Sequence, residues 1–453
     1  MRLSGATLGA LDRAVTRFGY DRGAQAVGIV HLGIGAFHRA HQAWYTDLAM
    51  AAGDRDWAIT GVSLRSPAVA EQMNPQDGLF TVTERSAAGS QTRLIGAVRE
   101  VLVGRAQRAA IIARMADPAV HIVSLTVTEK GYCRTTDGSL DFALADAGSL
   151  YALIAEALRR RHGAGLPGLT LLSCDNLADN GQQLARLMAE YLGRHDPALL
   201  PWFEQACTCP STMIDRIVPA TTDADRAELA ARIGLEDQAG VLTEPFSQWV
   251  IEDRFAGPRP RWEAVGAQLV NDVRPYETAK LRMLNGAHSF LAYVGLTRGH
   301  VYVHQAVADP ELRPLAEALL REEAAPTIMA GADQDLLAYA AALIERFANP
   351  ALNHRLIQIA MDGSQKLPQR WLETLAANQA LGRECPAIRR GLAAWIVHLR
   401  GANGPVDDPR AAELGAAAAG PDPIGALFGP GGLMGAIWHP TAADRAALAA
   451  MLD

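Results

Sequence analysis

Lysine is almost absent from this chain. Of 42 basic residues only Lys130, Lys280 and Lys366 are lysines, and arginine carries the remaining positive charge. Arginine keeps its proton under protein conditions, whereas a desolvated lysine can release one and act as a base. The scarcity therefore singles out three positions. Each lies in a dense polar motif: Thr-Glu-Lys-Gly-Tyr, Lys-Leu-Arg-Met-Leu-Asn-Gly-Ala-His and Asp-Gly-Ser-Gln-Lys. Cysteine is also sparse. The five cysteines (Cys133, Cys174, Cys207, Cys209, Cys385) form no disulfide framework, and no Cys/His pairs stand at zinc spacing, so no metal site is expected. They read as isolated thiols of a reducing compartment, and a cytoplasmic location is expected. Long apolar runs are missing too. The N-terminus, Met-Arg-Leu-Ser-Gly-Ala-Thr-Leu, lacks a signal-peptide core, and no run reaches membrane-spanning length. A net charge of -7 without basic runs argues against a nucleic-acid partner.

What remains is an ordinary soluble composition, 49% hydrophobic and 20% charged, over 453 residues, enough for two or more domains. The first half alternates strand-like and helix-like segments. Val27–Leu32, Trp57–Leu64, Val120–Val127 and Leu169–Ser173 are apolar, β-branched runs of strand length. Helical patterns cover Arg39–Met50 and Tyr151–Arg161. That alternation predicts a parallel sheet with crossover helices, with Leu79–Arg85 and Leu94–Leu102 as insertions or edge strands. Beyond Asn271–Pro275 the pattern becomes helical: Tyr276–Val294, Glu311–Arg321, Asp335–Phe347, Pro350–Met361 and Gly391–Arg400. The stretches Gly401–Gly432 and Ile424–Trp438 read as loop, apart from an alanine-rich part compatible with a short helix. The expected fold class is α/β, with a Rossmann-type domain over residues 1–271 and a mostly α-helical domain over 272–453.

The first strand runs into Gly33-Ile34-Gly35-Ala36-Phe37-His38-Arg39 and then a helix. In a dinucleotide fold the first glycine allows a tight turn, and the second lets the backbone approach a pyrophosphate. His38 occupies the third glycine position, so the general fingerprint is incomplete, but Arg39 is placed to reach a phosphate. A ribose-reading acid is expected about 20 residues further on. The second strand is instead followed by Arg65-Ser66-Pro67-Ala68, with no acid before Glu71. Arg65 suits a 2′-phosphate, so NADP stays open beside NAD.

Lys280, Asn285 and His288 fall on one helical pattern. At 100° per residue Asn285 lies about 140° from Lys280 and His288 about 80°, one broad face. A base, an amide and an imidazole together suit an alcohol/carbonyl interconversion, in which the base takes the hydroxyl proton and neutral donors hold the developing alkoxide. Glu277, one turn before Lys280, is a proton relay or a modulator of its basicity. Asn176, after a strand, is a second amide donor or a plain cap.

Together these motifs resemble the mannitol dehydrogenase family, the long-chain polyol dehydrogenases and hexuronate reductases. The matching pieces are Ile-Val-His-Leu-Gly-Ile-Gly-Ala-Phe-His-Arg-Ala-His-Gln, Val-Ser-Leu-Thr-Val-Thr-Glu-Lys-Gly-Tyr-Cys, Ser-Cys-Asp-Asn-Leu, Met-Ile-Asp-Arg-Ile-Val-Pro, Glu-Pro-Phe-Ser-Gln-Trp-Val-Ile-Glu-Asp, the lysine helix and Met-Asp-Gly-Ser-Gln-Lys-Leu-Pro, in the family's order. The resemblance implies a Rossmann-type domain, a helical domain and a site between them. It also implies metal-independent hydride transfer with Lys280 as base and Asn176 and Asn285 as an oxyanion hole. His288 would then hold a substrate hydroxyl, and Glu277 would link to the proton exit. Asp215 matches a substrate-binding aspartate and Lys366 a substrate-contacting lysine. Two departures stand out. Gln358 replaces an arginine found in members that oxidise mannitol, and Pro67-Ala68 replaces an acidic pair. Lys130, Arg282, Arg355 and Gln358 look like the fructuronate reductase branch, where cations would suit a substrate carboxylate. The expected partners are a polyol, ketose or hexuronate and NAD or NADP, with the chain a monomer or small homo-oligomer. A dinucleotide-binding redox sensor without turnover is the alternative.

Overall fold

The computed structural model describes residues 1–452 apart from Thr136 and Leu352. The chain separates into two compact units, Met1–Val273 and Arg274–Asp453.

The first unit is built on a five-stranded parallel sheet of β1 (Val27–Leu32), β2 (Ala58–Ser63), β5 (Val98–Val103), β6 (Ile122–Leu125) and β7 (Thr170–Ser173), in the order β5-β2-β1-β6-β7. This is a doubly wound arrangement whose order reverses between β1 and β6, the point where such sheets bind ligands. Period-two alternation separates the faces. Val30, Leu32, Val62, Val123, Leu125 and Leu171 pack against one helical layer. Ile29, Ile59, Ile122 and Leu172 pack on the other side. That second side also buries polar groups: His31 Nδ1 meets Ser124 Oγ at 2.8 Å, and Ser124 donates to Gln42 at 2.7 Å. Two small sheets flank the main one. β3 (Phe80–Ser86) and β4 (Gly89–Ile95) form a hairpin joined by β9 (Val241–Thr243), while β10 (Gln248–Glu252) lies between β8 (Thr212–Asp215) and β11 (Gln268–Val270).

Two expectations are corrected here. The run Leu94–Leu102 is two strands, because the chain leaves one sheet at Gly96 and joins another at Val98. A side chain at Gly96 would lie 2.7 Å from the Phe18 ring, and the Gly96 amide donates to the buried carboxylate of Asp47 at 2.8 Å. Its second half, β5, is the edge of the main sheet. The helix expected over Arg39–Met50 starts earlier and breaks at His41 (φ -122°, ψ -93°), giving Ala36–Ala40 and Gln42–Ala51.

The second unit is helical, with no strand among its described residues. Its centre is the helix Gly286–Thr297, whose residues from Gly286 through Gly295 are all buried. A helix buried on every side belongs inside a bundle, and this one packs on Pro386–Leu399. The expected helix Pro350–Met361 shrinks to Leu356–Ile359; of its span, Leu352 lies outside the described residues. The backbone here pairs instead with 301–303: Val303 N–H donates to His354 and Leu356 N–H to Val301. In the region read as loop the alanine-rich part is the short helix Ala411–Ala419, as allowed for, and a second helix, Pro423–Phe428, was not expected. The second is announced by an N-cap aspartate, Asp422, and proline at the first position.

Candidate active site

In the first unit the glycine turn closes the carboxyl end of β1 at the switch point. Gly33 has φ +95°, and a Cβ there would stand 2.2 Å from the Thr126 carbonyl, so only glycine fits. Thr126 Oγ1 donates back to the Gly33 carbonyl at 2.9 Å, which locks the turn to the loop after β6. Gly35 differs. Its backbone is extended (φ -129°), and the nearest atom to an added Cβ is Gly33 O at 3.8 Å. This is an open cradle over backbone that a side chain would fill. Beneath it Ile34 is buried while Ala36 and Phe37 are half-buried. His38 is fully buried and stacks on His31 at 3.5 Å. Burial, with His31 and Arg39 nearby, holds His38 well below the usual imidazole range, so it is neutral. Arg39 is buried too, and desolvation lowers it to about 10 against the pull of Asp237. Its Nε and Nη1 have no hydrogen-bond partner among the described residues. The open glycine cradle at the carboxyl end of β1 fits an anionic group such as a pyrophosphate. Arg65 is exposed at the carboxyl end of β2, in a turn closed by Ser63 Oγ donating to the Ser66 carbonyl.

Lys130 and Asn176 occupy the loops after β6 and β7, on the same carboxyl edge, and both are exposed. Asp215 ends β8, paired with Gln248, and is buried.

In the second unit the lysine helix is not a regular α-helix. Arg274–Ala279 leads into a π segment, Lys280–Asn285, and then Gly286–Thr297. A π turn closes i→i+5 hydrogen bonds, so residues five apart stand about one turn above each other. Lys280 and Asn285 are therefore far closer in azimuth than the 140° of a regular helix. A second π segment, Pro368–Leu372, packs against this one. From it Arg370 Nη1 donates to Asn285 O (3.4 Å) and Ser289 Oγ (2.8 Å), and Trp371 Nε1 to Gly286 O (3.0 Å). Those side chains take carbonyls at the end of the widened turn.

His288 is buried against Phe347 and His354, with ring centroids 4.6 and 5.3 Å away. Desolvation, then His354, Arg346 and Arg370, keeps it well below the usual imidazole range. Lys366 donates to the Met361 carbonyl at 2.7 Å and lies 3.6 Å from Asp362; burial and then Arg370 lower its basicity. Arg355 and Gln358 are exposed, and Glu277 is half-buried. Arg282 turns to Thr327 (3.0 Å to its carbonyl) and to Glu373, with which it forms a 3.1 Å ion pair. Its charge is matched inside the protein. Sequence reasoning missed Arg370. It is half-buried, lowered to about 10 by desolvation, near enough to His288 and Lys366 to lower the basicity of both, and forms no ion pair with a carboxylate among the described residues. Its spacing of four from Lys366 was the available signal, hidden by the abundance of arginine.

A doubly wound nucleotide-type domain followed by a helical domain bearing a lysine–amide π segment defines a two-domain dehydrogenase architecture. Comparison with known proteins makes the assignment specific. Residues 27–264 match the family model described as mannitol dehydrogenase Rossmann domain, and residues 272–422 match mannitol dehydrogenase C-terminal domain. D-mannonate oxidoreductase of Escherichia coli (strain K12) is 42% identical over 442 residues, covering 92% of this chain and 91% of that protein. The crystal structure of a D-sorbitol dehydrogenase in substrate-free form is 35% identical with a TM-score of 0.86, covering 90% of this chain and 88% of that one. The Pseudomonas fluorescens mannitol 2-dehydrogenase ternary complex with NAD and D-mannitol is 33% identical with a TM-score of 0.82, covering 100% and 95%. The chain belongs to the mannitol dehydrogenase family and is an oxidoreductase.

Proposed function

We propose that this protein interconverts an acyclic hexonate or sugar alcohol with its keto form by hydride transfer to and from NAD or NADP, with Lys280 as general base. When bound, the nicotinamide supplies the hydride acceptor. The glycine cradle at Gly33–Gly35 holds the pyrophosphate, with Arg39 as the buried counter-charge, and Arg65 faces the ribose. In the oxidising direction unprotonated Lys280 takes the hydroxyl proton as the C–H bond gives up its hydride and the C=O bond forms. The amide N–H groups of Asn176 and Asn285 donate to the developing alkoxide. Neutral His288 holds an adjacent hydroxyl without adding a competing charge. Glu277 carries the proton from Lys280 outward, and Asp215 and Lys366 bind substrate hydroxyls. The π segment carries this reading, because it brings Lys280 and Asn285 into the register that a base and an oxyanion donor need.

Within the family, D-mannonate/D-fructuronate is preferred over D-mannitol/D-fructose. The supporting observation is Arg370, a half-buried, desolvated guanidinium that lowers the basicity of His288 and Lys366 and has no carboxylate partner among the described residues. A desolvated charge without a counter-ion is costly, and a substrate carboxylate would compensate it with paired, charge-assisted hydrogen bonds. Lys130 and Arg355 remain further cationic contacts, whereas Arg282, already paired with Glu373, is left out. Nicotinamide absorbance with a panel of hexitols, hexonates and keto sugars tests the reading. Turnover of mannonate or fructuronate well above mannitol or fructose is the expected result, and the reverse order would reject the anionic substrate.

A further inference from the structure

The catalytic edge of the sheet holds a residue that the scheme above leaves unused. Asp175 sits next to Asn176, yet it is buried while Asn176 is exposed. Its carboxylate reaches across to the neighbouring loop. Oδ1 accepts from the Thr128 amide (2.8 Å), and Oδ2 accepts from the Val127 amide (3.1 Å) and the Tyr132 hydroxyl (3.0 Å). The clamp thus ties the turn after β6, which carries Glu129 and Lys130, to the turn after β7, which carries Asn176.

The clamped turn does not take this shape by preference. Thr128 has φ +64° and ψ +165°, a region open essentially to glycine alone and hard for a β-branched side chain. Cys133, at the far end, is also left-handed at φ +50°. Gly131 permits the tight return, since a Cβ there would stand 2.7 Å from Val127 Cβ. The two amides at the strained point are the two that Asp175 accepts. The other side of the clamp is equally tied down. Asn180 Nδ2 donates to the Asp175 carbonyl (3.0 Å) and to the Thr212 carbonyl (2.8 Å), and Tyr132 meets Ser173 as well as Asp175. Burial pushes the Asp175 carboxyl upward, and its three donors oppose that shift.

From this geometry we infer that Asp175 is a positioning residue: it holds the strained Thr128 turn against the β7 turn and thereby sets the orientation of Asn176 toward the reacting oxygen. The inference rests on the oxyanion role proposed for Asn176. Asp175→Asn replaces one accepting oxygen with an NH2 group that cannot accept. Loss of an oriented oxyanion donor lowers kcat by about 100-fold or more, so a fall of that order is expected with KM and cofactor affinity changed less than about threefold. Because Asp175 acts through Asn176, the double variant Asp175→Asn/Asn176→Ala should be no slower than the slower single variant, whereas independent effects would multiply. Tyr132→Phe keeps the buried ring and removes one donor of three. It should lower the melting temperature by only roughly 2–6 °C, because the buried Ser173 and Asp175 lose a partner, and lower kcat by roughly three- to tenfold.

Hydrogen exchange over residues 126–133 of the full-length chain reads the clamp without reference to turnover. Both variants should exchange faster there, Asp175→Asn by about tenfold or more. Unchanged exchange in Tyr132→Phe and Asp175→Asn, or multiplying kinetic effects, or wild-type kcat in Asp175→Asn, would overturn the proposal. If Asp175→Asn does not fold, wild-type exchange and kcat in Tyr132→Phe would do so. A wild-type chain with no nicotinamide turnover on any substrate would instead reject the proposed function, and the exchange result would still decide whether the clamp exists.

Discussion

The two glycines of the nucleotide turn should respond to alanine in opposite ways. At Gly33 the methyl group meets two obstacles: a left-handed backbone and a carbonyl oxygen at 2.2 Å, where real contacts stay beyond 3.0 Å. The backbone alone costs about 1–2 kcal/mol. Moving the Thr126 carbonyl brings the expected loss to about 2–4 kcal/mol, or a fall in Tm of roughly 4–16 °C. At Gly35 the conformation is one alanine adopts, and the space is open. Losing glycine from a helix N-cap costs about 0.5–1 kcal/mol, a shift of roughly 1–4 °C. The Gly35→Ala methyl, however, occupies the cradle. Displacing one charge-assisted hydrogen bond to a pyrophosphate costs about 1.5–3 kcal/mol, which weakens dinucleotide binding about 10- to 100-fold. Calorimetric Tm and NADH fluorescence titration of both variants separate the two effects. A Gly35→Ala protein that binds NADH and NADPH like wild type would refute the cradle. One that loses as much Tm as Gly33→Ala would refute the account of the space around it.

Lys280→Ala should abolish turnover while leaving dinucleotide affinity intact; near-normal kcat would reject Lys280 as the base. Arg370→Met should raise KM for a hexuronate by about 10- to 100-fold and for a neutral ketose far less, since about 1.5–3 kcal/mol of charged hydrogen bonding is removed. Arg355→Ala should show the same bias more weakly, and equal effects on both substrates would remove the carboxylate argument. Burial holds His31 at about 3, below the ordinary 6.5 of an unfolded imidazole. The unfolded chain therefore binds the extra proton first. The neutral state's full stability is present above about pH 6.5 and is lost as pH falls toward about 3. Thermal melts from pH 7 to 4 should show a shallower acid loss in His31→Gln than in wild type, and parallel curves would count against this origin.

The alternation of strands and helices, the glycine turn and the long helical second half were legible because each rests on local periodicity or on one residue's backbone freedom. Boundaries were less legible where a distant contact decides them. The chain changes sheets at Gly96, where Asp47 and Phe18 meet it, and His354 and Arg355 leave the helical pattern where Val301 and Val303 offer backbone partners. Arg282 and Arg370 carry the same charge in similar sequence settings. Which of them is matched by an acid depends on Glu373, 91 residues from Arg282.

By itself, the sequence determined that a nucleotide-type sheet precedes a helical domain, and it singled out Lys280 as the candidate base. Scarcity of lysine and the ordered motifs required no coordinates. Only the tertiary structure decided the phase of the lysine helix. A regular helix sets Lys280 and Asn285 about 140° apart, whereas the packed π segment, its carbonyls taken by Arg370 and Trp371, stacks them a turn apart. The same holds for Asp175, whose three donors come from another loop. Helical phase and buried hydrogen-bond partners depend on what packs alongside, and no local pattern in the chain encodes that.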